Sequence, residues 1–537
     1  MTIHTAARRD DEPFDFIIVG AGTSGCALAG RLSENGRRRV LLLEAGERDS
    51  RMDIRIPAAF AKLFRSSVDW NYDTVPQPGL GNRTIYWPRG KVLGGSSSIN
   101  AMMWVRGFAE DFDDWARHAG PGWSWEALLP HLHKVERVEG ATDDATGTEG
   151  AISIQAQRDP RSHTATYLRA AAEIGIETVT PNGPRHDGVS QAMVTQRRGA
   201  RFSAVDGYLK VARSRKNLVV RTGAHTTRVL LDGNRATGVE YSSKGKLYVA
   251  KANKEVILSG GAVNTPQLLM LSGIGERAEL ERAGIGVLVD SPEVGKNLRD
   301  HLVAAITIDV REDTLFAAES PAQLITYLLR RRGMLTSNVA EAYGFVKSDP
   351  ALALPDIELL FAPVAFVGEG LVPIPEHGLS VGAVLLAPES HGTITLASSN
   401  PFDAPLIDPR YLSDPEGKDR AAMMAGLNVC EDIVATEAMG SVSRRHFIAP
   451  ENSDSMTREQ RDTLTLTRLA HTLYHPVGTA RMGLDPGSVV DEALRVRGVQ
   501  GLRVADASIM PTIIHGHTNA PAYVIGEKAA DLIASEW

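Results

Sequence analysis

The chain has 537 residues, too many for one ordinary core, so two lobes or one large domain carrying an insertion are expected. Its 43% hydrophobic and 23% charged residues are those of a globular protein, and a net charge of −7 argues against a general binder of nucleic acid or anionic membrane, while leaving local patches open. Two cysteines, Cys26 and Cys430, exclude a disulfide framework and a thiolate metal site.

The N-terminus, MTIHTAARRDDEPFDF, lacks an apolar core and reads as a short polar tail. Nowhere do about 18 apolar residues run together, so no membrane span is expected and a cytoplasmic location is.

Phe14 to Gly46 predicts a strand, a glycine turn, a helix and a second strand at Val40 to Leu43. The turn is Gly20-x-Gly22-x-x-Gly25. Gly20 permits the tight bend, Gly22 lets backbone N–H groups approach a pyrophosphate, and Gly25 lets helix and strand pack closely. The helix N-terminus adds unsatisfied N–H groups and a partial positive charge. Glu44 ends the second strand, 19 positions beyond Gly25, at the interval that reaches a ribose diol. A carboxylate there repels a 2′-phosphate, which disfavours NADP and leaves FAD and NAD. Cys26, just inside the helix, is expected to be a small packing residue.

Asp69 to Gly107, rich in Gly, Ser and Pro, predicts irregular backbone lying against something else. GWSWEALLPHLHKVERVE, through Glu139, predicts a surface helix capped by Ser124. Strands return between Asn217 and Gly275, in NLVVRTG, TRVLLDG, ATGVEYSS and KEVILSGG, followed by a helix in TPQLLMLSGIG. Leu302 to about Thr395 alternates short strands and helices. The arginine runs 37–39 and 330–332 read as solvated ends. The last segment predicts a short strand, a loop with two histidines and a C-terminal helix. The chain thus leaves a nucleotide-binding lobe and returns to it.

Several long segments, in order, resemble the signatures of the glucose–methanol–choline (GMC) flavin oxidoreductases, on their choline dehydrogenase-like, alcohol dehydrogenase or oxidase branch. They are YWPRGKVLGGSSSINAMMWVRG (86–107), GAVNTPQLLMLSGIG (261–275), VGKNLRDH (294–301), YHPVGTARMG (474–483), LRVADASIMP (502–511) and GHTNAPAYVIGEKAADLI (516–533). The resemblance implies an α/β fold: a Rossmann-like FAD-binding domain with an α+β substrate-binding domain on an antiparallel sheet. The implied division assigns 13–160, 216–308 and 466–537 to the FAD-binding part, with the catalytic loop in the last of these, and 161–215 and 309–465 to the substrate part.

The resemblance also selects FAD. Carried over by position, Thr23, Ser24, Glu44 and Ala45 hold pyrophosphate and ribose beside Gly20, Gly22 and Gly25. Trp70, Arg89, Val92, Gly95, Asn100 and Met102 run along the cofactor. Asp506 and Ala507 lie near the pyrophosphate and ribityl chain, and Asn519 and Pro521 near the ring. Thr226 stands where a valine commonly meets the adenine through its backbone. Ile99 occupies the place of a histidine that attaches FAD in some members, so the cofactor is expected to be non-covalent.

His475 matches the family's catalytic histidine, and His517 the paired position. The implied reaction takes an alcohol, with a tilt towards primary ones. His475 removes the hydroxyl proton, hydride passes to the flavin, and His517 holds the oxygen. Imidazole suits the base because its ordinary pKa, about 6.5, lies near working pH. His301, His471 and His515 read as surface or satisfied core residues, with His515 near enough to line the pocket. Met103, Trp104, Glu341 and Tyr343 are candidates for the substrate pocket, although core is the stronger prior for each of Met103, Trp104 and Tyr343. No metal-ligand cluster is visible. The electron acceptor, whether dioxygen, a quinone or a dye-like compound, and the oligomeric state are not legible. Two rival readings are a flavin-containing lyase of the hydroxynitrile type and a binding module with a structural nucleotide.

Overall fold

The computed structural model describes residues 8–9, 12–141, 145–444 and 446–537; most of the polar N-terminal tail lies outside them. Two sheets organise the chain. In order their strands are β1 (Phe14–Val19), β2 (Val40–Leu43), β3 (Gly188–Gln191), β4 (Leu218–Arg221), β5 (His225–Asp232), β6 (Arg235–Ser243), β7 (Lys246–Leu258), β8 (Leu302–Asp309), β9 (Ala342–Val346), β10 (Ile357–Ala362), β11 (Gly378–Leu385), β12 (Phe447–Ala449), β13 (His471–Thr472) and β14 (Leu502–Val504). The helices that matter for the site are α1 (Thr23–Leu32), α2 (Trp125–Val135), α3 (Gly261–Leu271), α4 (Pro321–Arg330) and α5 (Asn519–Glu536).

The first sheet runs β4-β2-β1-β7-β6-β5, with β14 also on β7. β4, β2, β1, the end of β7 and β14 pair in parallel. Their apolar runs are covered on both faces, as a parallel sheet demands, and β1 and β2 are almost wholly buried. β7 does two jobs. Its first half makes an antiparallel meander with β5 and β6, and its last residues, Glu255 to Leu258, join the parallel core. The sequence reading stopped at the shorter KEVIL segment. α1 and α5 pack together over this sheet, so the first and last segments of the chain meet there.

The second sheet is antiparallel, ordered β12-β8-β11-β10-β9-β3, with β13 added to β8. β13 carries the chain directly into the His475 loop. This sheet therefore supplies one side of the site, and the C-terminal ends of the parallel strands supply the other.

Ser124 caps α2, accepting from the Ala127 N–H at 3.3 Å. The helix stops at Val135, earlier than expected, and Glu136 to Val138 form a strand parallel to Ile152–Ile154. The reason is Glu136. Its fully buried carboxylate takes Arg106 Nε at 2.6 Å, Arg106 Nη2 at 2.5 Å and Trp104 Nε1 at 2.7 Å. Extended backbone aims that side chain inward.

Removing one partner of a buried ion pair leaves the other uncompensated. Glu136→Ala is expected to lower unfolding stability by about 3–5 kcal/mol, measured by urea denaturation. A loss under about 1 kcal/mol, the range of exposed pairs, would contradict this reading of the Arg106–Glu136–Trp104 cluster.

Candidate active site

A cleft open at its mouth is lined from both sheets. The first βα turn forms one end. Gly20 has φ +100°, and a Cβ there would lie 2.3 Å from the Ser259 carbonyl oxygen. A Cβ at Gly25 would lie 2.0 Å from the Gly20 oxygen, so this glycine closes helix onto strand and stays off the cleft wall. At Gly22 a Cβ would meet nothing, because the space beside it is the cleft. Gly22 also begins α1 with no side-chain cap, which leaves the first N–H groups of the helix for a ligand.

Glu44, also on the lining, is buried; it accepts from Ala21 N at 3.0 Å and Gly46 N at 2.8 Å. Burial raises its pKa to about 7, against the lowering effect of these two N–H groups. Each oxygen keeps a lone pair for a diol. Near this end Thr226 Oγ1 is buried without a partner, and at the far end so is Tyr474 Oη, both residues being on the cleft lining. Open helix N–H groups, a buried acceptor and orphaned hydroxyls are what a bound dinucleotide would satisfy. FAD fits this cleft.

Gly20, Gly22, Thr23, Ser24, Glu44, Ala45, Trp70, Arg89, Gly95, Asn100, Met102, Thr226, Asp506, Ala507 and Asn519 all border the cleft. Several are also braced by the protein. Thr23 Oγ1 bonds Asn519 Oδ1 at 2.7 Å, tying the starts of α1 and α5 together. Asp506 gives its oxygens to Gly261 N, Thr265 Oγ1 and Ser508, so its carboxylate organises the start of α3. Arg89 is half-buried, with Nη2 on the Tyr474 carbonyl at 2.6 Å.

Other candidate residues lie elsewhere. Val92 and Pro521 lie off the lining, and Val92 is core. Of the substrate candidates only Met103 faces the cleft. Trp104, the next residue along extended backbone, points the opposite way to Glu136. Glu341 is enclosed by Ser337 Oγ, Thr164 Oγ1 and Arg161 N, at 2.5–2.7 Å. Tyr343 is buried beside Phe345, away from the cleft. His515 also stays off it, held by Asp111 at 2.6 Å. Cys26 is buried with its thiol on the Ala21 carbonyl, a packing role.

His475 and His517 meet on the lining, ring centroids 4.7 Å apart. Tyr474 adopts φ +67°, rare for an aromatic residue, and turns the loop; Asp300 Oδ1 then accepts the His475 N–H at 2.8 Å. The partners of the two imidazoles differ. His301 Nδ1 lies 2.9 Å from His475 Nδ1, and its Nε2 lies 3.1 Å from the Leu386 carbonyl. A carbonyl only accepts, so the His301 proton is on Nε2. Burial, with His517 and His515 nearby, pushes the His301 pKa down to about 3, so the ring is neutral and its Nδ1 is a lone pair. His475 must therefore donate from Nδ1, which leaves Nε2 as a lone pair. Burial, then His517, His301 and Arg89, push the His475 pKa well below its ordinary value, which keeps that lone pair free. His517 instead sets Nε2 against Glu358 Oε1 at 3.0 Å, leaving Nδ1 for a ligand.

Sequence reasoning missed two of these residues. His301 read as ordinary core, although its place in VGKNLRDH was a signal. Glu358, fully buried in β10, was visible only as a lone acid in an apolar strand, IELLFA.

Models of the family described as GMC oxidoreductase match residues 14–303 and 388–526. An uncharacterised GMC-type oxidoreductase of Mycobacterium tuberculosis is 56% identical over 98% of this chain and 100% of its own length. An alcohol dehydrogenase [acceptor] of Pseudomonas putida is 42% identical, covering 97% of this chain and 95% of the relative. Human mitochondrial choline dehydrogenase is 38% identical, with 99% and 91% covered. A solved structure addressing FAD modification in Aspergillus oryzae formate oxidase superposes with a TM-score of 0.90 at 29% identity, over 99% of both chains.

Glu44→Ala removes the buried acceptor and frees two backbone donors. FAD titration is expected to show binding weakened about 10–100-fold, the worth of one or two charge-assisted hydrogen bonds. Unchanged affinity would take the ribose away from Glu44.

Proposed function

The chain belongs to the GMC oxidoreductase family, and from that premise we propose that it is an FAD-dependent oxidoreductase that converts an uncharged alcohol into its aldehyde or ketone. The reading is carried by the unlike partners of two adjacent imidazoles. The histidine beside a neutral histidine keeps a lone pair; the other histidine has its Nε2 engaged by a carboxylate.

His475 Nε2 accepts the hydroxyl proton of the alcohol. His517 borders the same oxygen and helps to position it, and Glu358 steadies that ring through Nε2. Arg89, half-buried beside the loop, adds a positive charge near the developing alkoxide and disfavours a resting imidazolium at His475. The bound FAD supplies the acceptor for the hydride that leaves the carbinol carbon. Gly22 and the start of α1 hold the pyrophosphate, and Glu44 holds the ribose. Ile99, on the lining, offers no atom for a covalent link to the cofactor.

The substrate's character follows from the other end of the cleft. Its walls there are Val303, Ala305, Val339, Leu360, Ala362 and Leu473, with Phe60, Phe64 and Phe366. The carboxylates on the lining, Glu44 and Asp506, both lie at the nucleotide end and are engaged by backbone N–H groups. Aromatic faces can hold a quaternary ammonium, but here the rings pack on each other: Phe60 stacks on Phe366 at 6.1 Å and meets Phe64 edge-on at 5.6 Å. This favours a neutral, apolar alcohol over choline.

Three outcomes test the reading. His475→Ala is expected to slow anaerobic flavin reduction about 10²–10⁴-fold while the protein stays yellow; bleaching at the parental rate would remove the base. Because the His475 pKa is lowered, its neutral form persists as the medium turns acid. The acid limb of kcat/KM is therefore expected below pH 6.5, and a limb above it would contradict the assignment. In a substrate panel, benzyl alcohol or octan-1-ol should exceed choline in kcat/KM by at least about 100-fold, because burying an unpaired cation costs several kcal/mol. Preference for choline would overturn the apolar reading and leave the base intact.

A further inference from the structure

α4 has its apolar residues on the wrong side for a buried helix. Tyr327 faces inward, 1% exposed, with its hydroxyl on the Arg55 carbonyl at 3.0 Å. Leu324, Ile325, Leu328 and Leu329 share the outer face at helical spacing, and are 37%, 57%, 50% and 79% exposed. Phe316, on the turn packed beneath α4, is also exposed. An apolar patch of this kind marks a surface that is covered in use.

Its charge says by what. Residues 320–333 contain Arg330, Arg331 and Arg332 and no acid, in a chain of net charge −7. The acids at the border are already neutralised: Asp159 pairs with Arg332 at 2.8 Å, and Glu319 with Lys62 at 2.7 Å. Arg331 lies over the Tyr327 ring, 4.6 Å from its centroid, and neither it nor Arg330 has an ion-pair partner among the described residues. A second copy of the chain would bring the same basic cluster into a shared, isologous interface. An anionic lipid headgroup layer offsets it.

We propose that α4 is a membrane-docking helix that lies in the headgroup layer of an anionic bilayer, with its leucines and isoleucine in the acyl boundary and Arg330 and Arg331 on lipid phosphates. At ten residues α4 is about 15 Å long, half the hydrocarbon core, and no helix of the described residues is long and apolar enough to cross a membrane. It lies on the bilayer. The position has a functional consequence. α4 packs on Met334–Thr336 and on Leu315–Glu319, whose side chains join the cluster of Phe60, Phe64 and Phe366 that walls the apolar end of the cleft. Docking would set that end beside the phase in which apolar alcohols and lipid-soluble electron acceptors dissolve.

Flotation of the FAD-loaded protein tests this without reference to catalysis. The protein is expected to float with vesicles of equimolar phosphatidylglycerol and phosphatidylcholine, and to remain at the bottom with phosphatidylcholine alone. Ile325→Glu with Leu329→Glu should lower the bound fraction at least about tenfold, with FAD content and unfolding midpoint unchanged. Arg330→Gln with Arg331→Gln should lower it roughly tenfold, as two surface charges imply. Failure of the parent to float, equal flotation with both lipids, or flotation unaffected by either variant would overturn the proposal. So would light scattering that shows a dimer split by the glutamates, because the face would then belong to a second copy.

Discussion

Two nitrogens 2.9 Å apart cannot both carry a proton, and they cannot both be bare without repulsion. The rest of the site depends on how that contact between His301 and His475 is resolved. The Leu386 carbonyl resolves it by claiming the His301 proton at Nε2. The consequence passes through one neutral ring and fixes the tautomer of the next, so the free lone pair of His475 is set by a backbone carbonyl on another segment. Asp300, immediately before His301, holds the backbone of His475, and Tyr411 donates to its other oxygen. One Asp-His dipeptide thus fixes both the position and the protonation of the loop.

The cleft joins two kinds of wall because the chain builds it from two kinds of sheet. Parallel strands deliver their C-terminal ends, glycine turns and helix N-termini, which are polar by construction. The antiparallel sheet delivers alternating side chains, and the face it turns towards the cleft is small and apolar: Val303, Ala305, Leu360, Ala362, Gly382. β8 and β10 each place residues two apart on that face, as the strand period requires. Glu358 precedes Leu360 by two on the same strand, and its carboxylate reaches His517 from the sheet side.

The legible parts of the sequence were the local ones. The glycine turn, the strand that precedes it and Glu44 all fall within 31 residues, Phe14 to Glu44, and their physical jobs follow from spacing alone. Ser124 was likewise found as a cap from its position. His475 and His517 were legible only as parts of longer motifs, since nothing in their spacing says that the rings meet. What spacing cannot give is which side of an extended backbone faces a cavity. Met103 and Trp104 are neighbours, yet one faces the cleft and the other is held by Glu136. Glu341 shows the same limit, because its three partners come from 337, 161 and 164. His301 and Glu358 were missed for a related reason: each acts through a partner more than 150 positions away.

The most direct measurement of the central claim is the nitrogen-15 spectrum of histidine-labelled, FAD-loaded protein, with the His475 signals assigned by loss in a His475 variant. The expected spectrum shows His475 neutral at pH 7, protonated on Nδ1 and bare on Nε2, and His301 neutral with its proton on Nε2. A His475 ring protonated on Nε2, or an imidazolium at that pH, would contradict the account.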